Sequence, residues 1–155
     1  MATATWIVIT ATDLEDYVVA AQLAALRNAA LGDSQEDPFV LVMPPVAARV
    51  RAEIQGCPRN KVSSVANSVP PALKGETCYL ILERLQTRIP SLRLTDDQKE
   101  LIKDARDYLK RISLCQVPIE QPDDIQETNV QKSGGVELAS STTRQATRTK
   151  LDGLT

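Results

Sequence analysis

As far as Pro118, apolar residues recur at intervals of three and four, and beyond it they occur only singly. Trp6-Ile7-Val8-Ile9-Thr10 is β-branched and reads as a strand or extended entry. Thr12-Asp13-Leu14-Glu15 has the form of a capping box. It leads a helix to about Ala30, with Leu14, Tyr17, Val18, Ala21, Leu23, Ala25 and Leu26 on a broad apolar face. Gly32 and the polar run Asp33-Ser34-Gln35-Glu36-Asp37 end that helix. Phe39-Val40-Leu41-Val42-Met43 forms an apolar segment after Pro38, broken by Pro44-Pro45. Pro45 suits a first helical turn, and Val46, Val50 and Ile54 then predict a second helix to about Gln55, with Gly56 as its C-cap. Arg49, Arg51 and Glu53 mark its wet side.

Pro58 to Ser68 reads as a long loop. Pro70-Pro71 introduces a third helix, from Ala72 to about Arg88, which Pro90 ends. Leu73, Cys78, Tyr79, Ile81, Leu82 and Leu85 cover so much of its circumference that it is expected at the centre. A second capping box, Thr95-Asp96-Asp97-Gln98, starts a fourth helix. Leu101, Ile102, Ala105, Leu109 and Ile112 make its apolar stripe, and Lys99, Lys103, Asp104, Asp107, Lys110 and Arg111 a charged one. No internal repeat is present. The fold class expected is all-α, a small four-helix bundle over residues 1–117 with an extended C-terminal arm over 118–155. The arm's isolated apolar residues bury too little surface to offset chain entropy, so it is expected to be disordered until docked.

Composition narrows the chemistry. Among 155 residues there is no histidine, which removes imidazole-based nucleophile systems and metal sites. The net charge is −2, with 14 basic and 14 acidic residues up to 117 and 4 and 6 beyond. That balance is unlike a non-specific nucleic-acid binder, and few aromatics argue against base-stacking platforms. Cys57, Cys78 and Cys115 lie far apart without metal or redox spacing and read as reduced thiols, buried or half-buried, of a cytoplasmic protein. No apolar run approaches a membrane span, and the first residues lack a signal peptide's basic region.

The acidic pairs have structural readings. Asp96-Asp97 sits in a helix's first turn, where the macrodipole favours it, and Asp123-Asp124 lies in an expected floppy stretch. Gly134-Gly135 lacks the Lys-Ser/Thr of a phosphate loop and reads as a hinge. No enzyme, metal or cofactor is expected. The arm is more patterned than simple disorder. Val136 and Leu138 flank Glu137 in a segment able to add to a sheet edge or lie in a groove. Arg144, Arg148 and Leu151 follow at helical spacing, and Leu151 and Leu154 could anchor in a pocket.

Three stretches together resemble the head–tail adaptor (head-completion) proteins of Mu-like phages. They are Thr10-Ala11-Thr12-Asp13-Leu14-Glu15, Tyr108-Leu109-Lys110-Arg111-Ile112-Ser113, and the ending from Ser140-Ser141 through Arg144-Gln145-Ala146-Thr147-Arg148 to Leu151-Asp152-Gly153-Leu154. The last is the most specific, similar to the family's R-x-x-[ST]-R-x-x-L-x-G-[FL] pattern. The resemblance implies a virion protein at the head–tail interface, assembled in host cytoplasm as a homo-dodecameric ring below the portal protein. The arm, through Val136, Leu138, Arg144, Arg148, Leu151 and Leu154, would grip the portal or a neighbouring adaptor subunit. The opposite end would meet the next connector or tail-completion protein.

A ring needs repeating side-to-side contacts, expected from the helix-face residues Arg49, Arg51, Glu53, Lys103, Asp107 and Lys110. Near-neutral charge suits a channel through which DNA passes without specific binding, since Lys and Arg phosphate contacts would retard it. The alternative is a small helical phage regulatory or DNA-binding module, against which stands the lack of a basic recognition helix. A tail terminator would require more strand than the pattern offers.

Overall fold

The computed structural model describes residues 3–28, 36–87 and 93–125. They form four α-helices and four two-residue strands, so the class is predominantly helical. The helices are α1 (Ala20–Asn28), α2 (Pro38–Gln55), α3 (Lys74–Thr87) and α4 (Asp96–Ser113). Helices α2, α3 and α4 pack against one another, and α1 lies on α3. The central placement expected of α3 holds: Thr77, Cys78, Leu80, Ile81, Leu82 and Leu85 are all buried. The core joins them to Val46, Val50 and Ile54 of α2 and to Ile102, Leu109 and Ile112 of α4.

Helix α4 follows its sequence closely. Thr95 Oγ1 accepts from Gln98 N, and the Gln98 side chain accepts from Thr95 N, so the capping box forms in full. The stripe is buried except for Leu101, which is 42% exposed. At its far end Cys115 takes φ 60°, with Cys115 N donating to Ile112 O and Gln116 N to Arg111 O. This is the Schellman pattern, in which glycine usually occupies the left-handed position.

Other expectations are corrected. The first helix is two pieces, a 3-10 turn over Thr12–Asp16 and then α1, with a break near Tyr17. The buried positions Leu14, Val18, Leu23 and Leu26 show the break as a five-residue step between Val18 and Leu23, which a continuous helix cannot keep on one face. The first capping box does not form, because Ala11 is the N-cap and its methyl group cannot accept a hydrogen bond. Asp13 instead accepts from Thr10 N at 2.7 Å and Thr10 Oγ1 at 2.6 Å.

The apolar segment and the second helix are one helix, α2, with Pro44 and Pro45 inside it. Asp37 caps it by accepting from Phe39 N at 2.9 Å, and Pro38 occupies the tolerated first turn. The two internal prolines remove the amide partners of the Val40 and Leu41 carbonyls. Both residues are exposed, so water can serve those oxygens.

Two of the three cysteines are joined: Cys57, after α2, is bonded to Cys115, after α4. The expectation of three reduced thiols therefore fails for this pair, and only Cys78 is free and buried. Gly56 ends α2 beside the same junction. A Cβ there would stand 2.9 Å from Ser113 Cβ, so the close approach of the two helix ends, rather than a left-handed turn, is what requires glycine.

The short strands tie the flanks together. β2 (Ile7–Val8) pairs antiparallel with β3 (Ser68–Val69), placing Ile7 opposite Val69. β1 (Thr3–Ala4) pairs parallel with β4 (Gln121–Pro122). The expected arm thus has its first residues held on the domain. Asp124, read as part of a floppy stretch, accepts from Ser63 Oγ at 2.9 Å and Ser64 N at 2.6 Å, while Asp123 accepts from Thr5 Oγ1. No helix among the described residues is long and apolar enough to cross a membrane.

Candidate functional site

Charged groups divide into those that hold the fold and those left facing open surface. Lys74, at the start of α3, reaches Asp13 at 2.7 Å and Asp16 at 3.0 Å. Burial pushes the Asp13 carboxyl up, but hydrogen bonds from Lys74 and Thr10 outweigh it and hold it below its ordinary 3.8. The same pairing, chiefly with Asp13, raises the Lys74 ammonium. Arg27 and Asp37 form a second internal pair, joining α1 to the cap of α2. Glu83 of α3 pairs with Arg106 of α4. The Cys78 thiol is pushed up to about 12, first by burial and then by Asp13; it is protonated and inert at neutral pH.

Arg51, expected at a subunit interface, makes bonds within the chain. Its guanidinium donates to the carbonyls of Ser63 at 2.6 Å and Ser68 at 2.9 Å and stands over the Trp6 ring, 5.7 Å from its centroid. The Trp6 indole N–H is buried and meets no acceptor among the described residues. Glu53 is half-buried, and Arg49, Lys103, Asp107 and Lys110 are exposed. Lys103, Asp107 and Lys110 share one face of α4 at spacings of four and three, while Arg49 stands apart on α2. Val136, Leu138, Arg144, Arg148, Leu151 and Leu154 lie outside the described residues.

Two open grooves flank α3. Between α2 and α3 lies one of about 330 Å3, whose apolar lining includes Leu41, Pro45, Val46 and Leu80. Arg49 and Arg84 stand on it with Glu83, and Leu41 is 45% exposed there. Since Glu83 is paired to Arg106, the groove's uncompensated charge is positive.

Between α3 and α4 lies the other, of about 340 Å3. Here Glu76, Asp104 and Asp107 oppose only Arg111 in charge, around Tyr79, Leu101 and Tyr108. Tyr79 packs against Tyr17 in a T-shaped arrangement, with ring centroids 5.4 Å apart. This groove is therefore acidic and aromatic where the first is basic and aliphatic.

Of the residues expected at subunit contacts, Arg49 lines the basic groove and Asp107 the acidic one; the residues that complete the grooves were not among those expected there. A signal was present: Leu101, Asp104, Tyr108 and Arg111 fall at spacings of three, four and three, a second face of α4 beside its buried stripe. Among the described residues, no cluster of three or more His, Cys, Asp or Glu could hold a metal. Nor does any protein-family model, curated protein or solved structure match the chain.

Proposed function

We propose that this chain is a structural virion protein, a subunit of the head–tail connector ring that joins the portal to the tail side and surrounds the DNA exit channel. The observation that carries the reading is the pair of unlike grooves on α3, one basic and aliphatic, the other acidic and aromatic. A closed ring uses heterologous contacts, in which each subunit presents two different surfaces to its neighbours. Two such surfaces on one small helical domain answer that need.

The resemblance at Thr10–Glu15 and Tyr108–Ser113 supports the same reading. The first stretch forms the entry turn whose Asp13 locks α3, and the second is the end of α4. A net charge of −2 suits a conduit that does not retain DNA. In this reading the chain is not an enzyme and needs no cofactor. Its partners are the portal protein, further copies of itself in a dodecamer, and the next connector or tail-completion protein.

The test is assembly on a portal ring. Full-length protein is mixed with purified portal rings of its own phage and examined by electron microscopy and native mass spectrometry. A ring of copies added at one end of the portal is the expected result. Failure to associate with the portal, or tight binding to duplex DNA at moderate salt in a gel shift, overturns the reading in favour of a regulatory module.

A further inference from the structure

We infer that the acidic α3–α4 groove is the seat for the C-terminal segment 144–154 of a second copy of this chain. The inference rests on the ring reading for the identity of the partner, and on charge and shape for the contact itself. The groove carries Glu76, Asp104 and Asp107 against Arg111, and none of the three acids has an ion-pair partner among the described residues. The segment carries Arg144, Arg148 and Lys150 against Asp152, the opposite balance.

The apolar chemistry also matches. Leu101 is 42% exposed in the groove and offers a contact for Leu151 or Leu154. Arg144, Arg148 and Leu151 follow at sequence spacings of four and three, the spacing that on a docked helical turn would bring two guanidiniums and an aliphatic anchor to one side. Tyr79 and Tyr108 line the groove, and a guanidinium is attracted to such rings. The basic α2–α3 groove repels the same segment, which fixes the choice of seat. One chain thus supplies both halves of the contact, so it repeats from subunit to subunit.

The test uses charge reversal on the full chain. Asp104→Arg alters the groove at an exposed position, and Arg148→Glu alters the segment. A labelled peptide of residues 140–155 is titrated into the Arg148→Glu protein, whose own segment is disabled, and into the Asp104→Arg/Arg148→Glu protein. Binding to the first, weakened at least tenfold in the second and by added salt, is expected. Sedimentation at increasing concentration should show self-association of the wild type, its loss in either single variant, and its recovery when the two variants are mixed.

Equal peptide binding to both proteins, or none, overturns the inference. So does a wild type that stays monomeric and refuses peptide while Arg148→Glu accepts it, because the segment then occupies its own chain's groove. Loss of peptide binding with intact assembly on the portal ring overturns only this contact. Peptide binding without portal association overturns the connector reading and leaves the contact standing.

Discussion

Nη2 of Arg51 lies 2.6 Å from the carbonyl oxygen of Ser63, so a side chain on the wet side of α2 organises the loop that leads to β3. The same guanidinium reaches the Ser68 carbonyl and Trp6. Removing it in Arg51→Ala leaves those carbonyls without their charged donor and should cost about 2–3 kcal/mol. Arg51→Lys keeps the charge but loses the fork and should recover only part of this. Urea denaturation followed by the fluorescence of the single tryptophan measures both. An unchanged monomer stability with weakened self-association would instead return Arg51 to the interface.

The Cys57–Cys115 bond closes a separation of 58 residues. Such a loop restricts the unfolded chain by about 4 kcal/mol in the entropic description. Reduction should therefore lower the urea midpoint, with a loss of about 2–4 kcal/mol. Thiol titration without reductant should find no reactive thiol in the folded protein and one, Cys78, after denaturation. Three after denaturation would show that the bond is not made.

Acid should weaken the fold through Asp13. Its folded pKa lies below the ordinary 3.8, so its contribution is complete above that value and is lost as pH falls through the folded one. Lys74, raised from its ordinary 10.5, acts at the other end: its contribution is complete below 10.5 and is lost as pH rises through the folded value. Urea midpoints measured down to about pH 2 should fall less steeply for Asp13→Asn than for the wild type. Parallel acid limbs would remove Asp13 from this role.

Pro45 removes a backbone hydrogen bond inside α2 and is itself exposed. An interior proline costs a helix about 3 kcal/mol relative to alanine, while its stiffness in the unfolded chain returns up to about 1 kcal/mol. Pro45→Ala should stabilise the domain by about 1–2 kcal/mol, read from the urea midpoint. Because Pro45 lines the basic groove, any loss of assembly in this stabilised variant would mark that groove as a contact surface.

Asp124 is held below its ordinary pKa by hydrogen bonds from Ser64 and Ser63, the Ser64 side chain first. Asp124→Ala should release residues 118–125 without unfolding the helices. Limited proteolysis should then cut in that segment earlier than in the wild type, with an unchanged circular dichroism melt. A lowered melt would mean that the segment supports the core itself.

Local signals made some elements legible and not others. The ends and buried face of α4 were readable because the Thr95 cap, the first-turn acids and the stripe all lie within one helix. The first turns of α2 were not, because Pro44-Pro45 reads as a break, whereas exposed Val40 and Leu41 let the helix tolerate two missing backbone hydrogen bonds. β4 contains Pro122 and carries no alternation, so nothing nearby announces its pairing with Thr3 and Ala4. The Cys57–Cys115 bond joins distant positions without a spacing motif. The acidic groove was half visible, since Asp107 belongs to α4's charged face, but Glu76 and Tyr79 reach it only through the packing of α3.

The position of Cys115 has a mechanical consequence. A pull on the chain beyond residue 125 first peels β4 from β1 and frees Asp124 from Ser63 and Ser64. Unravelling then reaches Cys115, where the load passes through a covalent crosslink into the end of α2 instead of unwinding α4. Residues 116–125 would lengthen first, ahead of a fixed anchor point, and tension from beyond residue 125 would meet α2 and α4 at their crosslinked ends.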